Sequence, residues 1–415
     1  MQSGDARAGT PRLGLVFGIA LSNYLSHALI RYSTPLYFSA LEYPKDAYET
    51  FSFYWLVAFI AGSTLSGLLA SRVDERDVWS SGVAGFAGLG LLLIFIPGYW
   101  VVAFAGLLYG ITAAAQWVGA MAFVQTAAPG KRGWANALLM IALGGGSFVG
   151  AQLGAAILNW TSSGDPSPGD FFPLLWFHTA LCVAGALLIR TVARHAGQVR
   201  RQLVEEDWKT NFSLLRMPRY LAMVIPLSLM GGPVFQTVNI YLPYRAEAEE
   251  IALKVGAVDQ GWSTLLTAGY GMQFLGGLFI ILIAGKKAGA LMAAAVLGAY
   301  AASSLGIGLS PNVYGVVLFT ALFEFLRQLM RWSQTGYITE HMPIELRGPA
   351  IGFSTTLSGL ASTLFATVMR NLQSPDSPDF SSSLPFYVGG CIGLTGAVLL
   401  LIAHYSILKP KENHR

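Results

Sequence analysis

Residues 313–337 read VYGVVLFTALFEFLRQLMRWSQTGY, a run long and apolar enough to cross a bilayer that nevertheless carries Glu324, Arg327 and Arg331. At about 3.6 residues per turn, positions 324, 327, 328 and 331 share one stripe of a helix, with Thr320 above and Thr335 below. An ionised side chain in hydrocarbon costs on the order of several kcal/mol unless a partner or water receives it. The stripe therefore predicts a spanning helix whose polar face turns to the protein interior or to a wet cavity, which the remaining spans must build.

Composition agrees. Of 415 residues, 54% are hydrophobic and only 12% charged, which excludes a soluble fold and indicates an all-α, polytopic integral membrane protein. The formal charge of +4 does not point to nucleic acid, because the basic residues are scattered between apolar runs instead of gathered on one solvated face. The two cysteines, Cys182 and Cys391, both lie in apolar runs and support neither a disulfide framework nor a metal site. No cofactor is implied. The first dozen residues are polar and the following apolar run is too long for a signal-peptide core, so the first span is read as uncleaved.

Windows of about 20 apolar residues give twelve spans, at 13–38, 51–71, 79–97, 100–126, 134–158, 173–194, 219–242, 261–285, 289–309, 312–338, 348–370 and 384–408. The chain then divides into a tail (1–12), a six-helix bundle (13–194), a linker (195–218), a second six-helix bundle (219–408) and a tail (409–415). Nineteen of the 26 Lys and Arg residues fall on the side of the termini, four on the opposite side and three inside spans. The positive-inside rule predicts that both termini are cytoplasmic, in a plasma or inner membrane. The charged stretch RHAGQVRRQLVEEDWKT at 194–210 reads as a solvated connector between the halves. Segments 159–172 and 371–384, rich in Ser, Pro, Gly and Asp, read as loops on the far side. The sequon at Asn159–Thr161 abuts a span, and modification is not expected there. Trp55, Trp79, Trp100, Trp160, Trp176 and Trp262 read as an interfacial belt, and His178 as a residue near the outer interface.

The halves are internal repeats. Arg132-Gly133 after the fourth span and Arg347-Gly348 after the tenth are 215 positions apart, and the same offset carries Gln116-Trp117 onto Arg331-Trp332 and Tyr109 onto Glu324. Duplicated bundles with a site near the midplane are a recurrent transporter plan. The stretches 129–137 and 343–352 resemble the paired loops of the major facilitator superfamily, and 67–76, with Arg72, Asp74 and Arg76, resembles its gating loop. The family's usual acid is replaced by Ser71 and its second glycine by Asp74, which leaves Asp74 and Asp77 as acidic candidates. Gly144–Gly150 and Gly154 resemble a glycine-rich antiporter motif without its proline, and small residues at this spacing also serve close helix packing.

The resemblance implies that spans one, four, seven and ten line a central cavity. Substrate-binding candidates are then Arg331, Arg327 and Gln328 on span ten, Gln116 on span four, Asn23 and Arg31 on span one, and Gln236 and Asn239 on span seven. Glu324 and His27 are the proton-coupling candidates, and Arg72, Asp74, Arg76, Arg132, Gly133, Arg347 and Gly348 the gating residues. Three cavity arginines against one acid favour an anionic solute, since the planar guanidinium donates two parallel hydrogen bonds to a carboxylate or phosphate. Equally, Glu324 could simply neutralise Arg327 or Arg331, and Arg31 could snorkel to the headgroups.

The expected function is a monomeric, proton-coupled secondary transporter of a small polar anion, working by alternating access in the lipid bilayer. Alternatives are a transporter of a neutral sugar or nucleoside, and a transporter-like sensor that binds without cycling. An intramembrane enzyme lacks a His-Glu-x-x-His or paired-Asp arrangement, and no Walker loop supports ATP coupling.

Overall fold

The computed structural model describes residues 13–44, 47–70, 72–96, 98–127, 132–162, 166–192, 213–242, 245, 260–283, 289–343, 346–372 and 381–408. Twelve spanning elements run through them: α1 (Leu13–Ala40), α2 (Ala47–Ala70), α3 (Glu75–Phe95), α4 (Trp100–Ala127), α5 (Arg132–Thr161), α6 (Phe172–Thr191), α7 (Pro218–Asn239), α8 (Gln260–Ile283), α9 (Ala290–Leu309), α10 (Val313–Glu340), α11 (Arg347–Leu372) and α12 (Leu384–Ala403). Ten of these are long and apolar enough to cross a membrane on those criteria alone. The exceptions are α1, a 28-residue helix interrupted by Asn23, His27 and Arg31, and α8, whose apolar part is the shorter stretch Ala268–Ile283. The elements follow the apolar windows to within a few residues at each end. The N-terminal tail, most of the linker and the C-terminal tail lie outside the described residues.

α7 is the irregular member. Pro226 and Pro233 each remove a backbone donor, and the chain answers with π-helical stretches at Ile225–Leu229 and Thr237–Tyr241 on either side of the short helix Gly231–Gln236. Gly232 holds this helix against α11: a Cβ there would lie 2.5 Å from the Ser358 carbonyl oxygen, and Ser362 Oγ donates to the Gly232 carbonyl. The break directs Phe235, Gln236 and Asn239 towards the centre.

The two halves meet along two seams, α2 against α11 and α5 against α8. The 215-residue offset carries α2 onto α8 and α5 onto α11, so the seams are one contact seen twice. Both need glycine. A Cβ on Gly67 would lie 2.9 Å from Gly352 Cα, and a Cβ on Gly144 would lie 2.5 Å from the Phe274 backbone nitrogen. Gly146 similarly lets α5 approach the Leu21 carbonyl of α1, so the glycine-rich stretch of span five is a packing surface. Across the first seam the hydroxyls of Thr64 and Thr356 are 2.7 Å apart.

Two sequence expectations need correction. Trp79 is not interfacial: it is 1% exposed, with its backbone against Gly119 of α4 and its ring against Phe123. Nor does His178 sit at an interface. It is fully buried, with Nδ1 2.9 Å from Ser26 Oγ and Nε2 3.0 Å from the Phe86 carbonyl, joining α6 to α1 and α3. The His178 ring nitrogens find internal partners and the Trp79 ring packs inside its bundle, so the water interface holds no advantage for either. Trp100, Trp160 and Trp176 are exposed, as a belt requires; the side chain of Trp262 lies outside the described residues.

Paired cysteines at Thr64 and Thr356 are expected to cross-link under mild oxidant. Adding Gly67→Val should lower the cross-linked fraction at least ~3-fold, because overpacking forces backbone apart; gel mobility reads the result.

Candidate functional site

The polar stripe of α10 faces inward. Glu324, Arg327 and Gln328 are 6%, 4% and 0% exposed. Arg327 Nη1 donates to Glu324 Oε1 at 2.8 Å and to Oε2 at 3.1 Å, so the first guanidinium of the stripe is held by the carboxylate one turn away. From α8, Gln273 Nε2 donates to Glu324 Oε2 at 2.5 Å. Gly269, one turn earlier on α8, leaves the room: a Cβ there would come within 3.2 Å of Glu324 Cγ. Gln328 Nε2 in turn reaches Gln273 Oε1 at 3.3 Å and the Met140 carbonyl of α5 at 3.5 Å. The sequence reading missed Gln273, because no charge or repeat match distinguishes it from other polar residues in apolar spans.

α7 joins the stripe to α1. Asn239 Oδ1 accepts from Arg327 Nη2 at 3.3 Å and from Arg31 Nη2 at 3.4 Å. Arg31 therefore reaches into the centre, and the snorkelling alternative is set aside. The Phe235 ring lies under both lower cations, 4.2 Å from Arg327 Cζ and 5.7 Å from Arg331 Cζ.

Arg331 is different. Its guanidinium stands over the ring of Trp117 on α4 at 5.4 Å and over Phe235 on α7, and among the described residues no hydrogen bond or ion pair reaches it. Aromatic faces attract the cation but leave its in-plane N–H groups open. Gln116, next to Trp117 in sequence, is 2% exposed with an unpartnered Nε2, and Gln236 Oε1 and Asn239 Nδ2 are likewise buried without partners among the described residues. Beside Trp117 opens a polar cleft of about 40 Å³, lined also by Gln334, Thr335, Ser354 and Thr355.

The N-terminal half answers Glu324 with an aromatic nest. Tyr109, its repeat partner, bonds His27 Nε2 at 2.7 Å and packs edge-on against Phe51, Trp55 and Phe86. Asn23 points elsewhere, into its own half: its Oδ1 would be the nearest atom to a Cβ on Gly185 of α6.

A sequence profile described as Major Facilitator Superfamily matches residues 16–366. The chain belongs to the Major Facilitator Superfamily. It is thus a multi-pass membrane transporter and not an enzyme. Among solved structures it is similar in fold to a Major Facilitator Superfamily transporter, FucP, in the outward conformation, at 12% identity with 94% of this chain and 98% of that chain covered and a TM-score of 0.72. It is also similar to a substituted form of the E. coli fucose:proton symporter FucP, at 13% identity, the same coverage and a TM-score of 0.70. No curated protein matches.

Several of the loop residues singled out in the sequence lie among the described residues, at helix ends. Asp74 caps α3 by accepting from the Arg76 backbone nitrogen at 3.0 Å, and its carboxylate also takes Arg76 Nε at 3.0 Å. Arg76 Nη1 donates to the Val192 carbonyl at 2.5 Å, fastening this loop to the end of α6. Arg72 and Asp77 are exposed. Arg347 Nε donates to the Thr339 carbonyl, and Gly348 faces Ala70 and the Gly67 carbonyl across the first seam. Gly133 is half-buried at the start of α5; Ser71 and the side chain of Arg132 lie outside the described residues.

Because Glu324 and Arg327 are buried together, either Glu324→Gln or Arg327→Gln should lower unfolding stability by about 3–5 kcal/mol, while the double variant loses less than the sum. Thermal unfolding in detergent, run as a double-mutant cycle, measures this.

Proposed function

We propose that the protein is a proton-coupled secondary transporter of a small organic anion, which docks its carboxylate or phosphate on Arg331. The observation that carries this reading is the Arg331 guanidinium, held between Trp117 and Phe235 where α4, α7 and α10 meet, with its donors open. A planar anion can take two of those N–H groups side by side. The unpartnered Gln116 Nε2 and Asn239 Nδ2 offer further donors, and Gln236 Oε1 an acceptor for a hydroxyl. Arg31 and Arg327 strengthen the positive field without needing to touch the solute, since Asn239 and Glu324 already hold them.

Glu324 is the proton acceptor in this reading. Ionised, it holds Arg327; protonated, it releases part of that hold and raises the positive charge facing the solute, so proton and anion bind with mutual support. His27, bonded to Tyr109 at the repeat-related position, supplies the second titratable group. The halves rock about the two glycine seams around this fixed site. The bias of Lys and Arg supports cytoplasmic termini; an inner or plasma membrane location and a single chain as the working unit complete the proposal.

A second reading, a neutral polyol, is favoured by the three unpartnered amides, which suit hydroxyls as well as carboxylates. In proteoliposomes, uptake should be saturable with small carboxylates and not with neutral sugars, and Arg331→Gln should weaken anion binding at least ~10-fold, the loss of one charge-assisted pair. Unchanged affinity in that variant removes the anion site. Glu324→Gln should abolish accumulation driven by a pH gradient while leaving solute exchange at equal pH; persistence of the driven accumulation removes its proton role.

A further inference from the structure

We infer that Gln273 and Gln328 are positioning residues that transmit the protonation state of Glu324 to α5 through a double amide flip, turning the contact of α10 with α5, beside the α5–α8 seam, from attractive to repulsive. This inference rests on the proposed role of Glu324 as the proton acceptor. It concerns what that proton does to the other half of the molecule.

The contacts form an unbroken chain of direction. Glu324 Oε2 accepts from Gln273 Nε2, Gln273 Oε1 accepts from Gln328 Nε2, and Gln328 Nε2 also donates to the Met140 carbonyl on α5. A side-chain amide has donors only on nitrogen and an acceptor only on oxygen, so the orientation of the first amide dictates that of the second. An ionised carboxylate accepts only and selects the arrangement seen. That arrangement leaves one group unsatisfied: Gln328 Oε1 is buried and has no donor among the described residues.

Protonation reverses the chain. Arg327 Nη1 is nearer Oε1 (2.8 Å) than Oε2 (3.1 Å), so the proton goes to Oε2, the oxygen the guanidinium holds less closely. Oε2–H then confronts Gln273 Nε2, donor against donor. The terminal torsion of a glutamine is soft and roughly two-fold, so Gln273 turns over: its Oε1 accepts from Oε2–H and its Nε2 now points at Gln328. Gln328 turns in response and offers Oε1, satisfying the atom left unpaired before. The same turn sets Oε1 against the Met140 carbonyl, and a donor–acceptor contact between α10 and α5, across the interface of the two halves, becomes acceptor against acceptor. The proton stays on Glu324, and only hydrogen-bond polarity moves. The charged and titratable groups facing Glu324 are Arg327 and Arg331 on its own helix and Tyr300 from α9; α8 contributes Gln273 and Gly269, neither of which titrates, and Asn239 on α7 reaches it only through Arg327.

The test uses the full chain in nanodiscs without added solute. Spin labels replace Trp134 on α5 and Leu282 on α8, exposed residues at the same end of the two helices, with Cys391→Ser removing the exposed native thiol and buried Cys182 retained. Double electron–electron resonance is recorded at about pH 8 and about pH 5. The unsubstituted site should show the short-distance fraction falling on acidification, and Glu324→Gln should hold the acid distribution at both pH values. Gln328→Leu and the volume-matched Gln328→Met should each shrink the pH-induced change at least ~3-fold, as should Gln273→Leu, since an apolar side chain cannot relay polarity. A full pH response in the folded Gln273 and Gln328 variants, with none in Glu324→Gln, overturns the relay and leaves the proton site standing. A full response in Glu324→Gln overturns the proton site itself.

Discussion

A carboxylate and a guanidinium 2.8 Å apart inside an apolar bundle set the terms for everything around them. Neither Glu324 nor Arg327 can be left alone at that depth, because an isolated charge in hydrocarbon costs on the order of several kcal/mol. Their pairing requires α10 to face inward, α8 to offer a glycine and a glutamine against the carboxylate, and α7 to present Asn239 and Phe235 against the guanidinium. The broken geometry of α7 follows from this demand: a straight helix with two prolines removed would carry its polar residues on a different face.

With that pair closed, the remaining charges acquire distinct roles. Arg31 and Arg327 share a single acceptor in Asn239, so α1 and α10, from opposite halves, are tied through α7. Arg331 is left to aromatic faces, which stabilise its charge without consuming its donors. Among the described residues one arginine of the three thus keeps its donors open, and its repeat partner is Gln116, whose Nε2 is likewise unpartnered there. The duplication has kept the positions and diverged in chemistry: acid and cation in the C-terminal half correspond to a tyrosine and an amide, Tyr109 and Gln116, in the N-terminal half.

The seams give this asymmetry a mechanical outlet. Both are glycine-to-backbone contacts with no room for bulk, and the α5 side of one is reached from Glu324 through three successive hydrogen bonds. A polar chain that reaches a seam can bias it with little energy, because two nearly equivalent packings need only a small difference to exchange.

The all-helical class, the twelve spans, their ends and the two-fold repeat were legible in the sequence, because hydrophobic length and charge bias act locally along the chain. So was the inward turn of Glu324 and Arg327, since a charge within an apolar run is costly wherever the fold puts it. What only the tertiary structure decided was partnership. Whether Glu324 holds Arg327 or Arg331, whether Arg31 turns to lipid or to Asn239, that Asn23 faces α6, that Trp79 and His178 are interior, and that Gln273 is the neighbour of the carboxylate all depend on which helices lie side by side. Periodicity assigns a residue to a face of its helix, but the chemistry of the facing helix is long-range information, set by packing at glycines hundreds of residues apart.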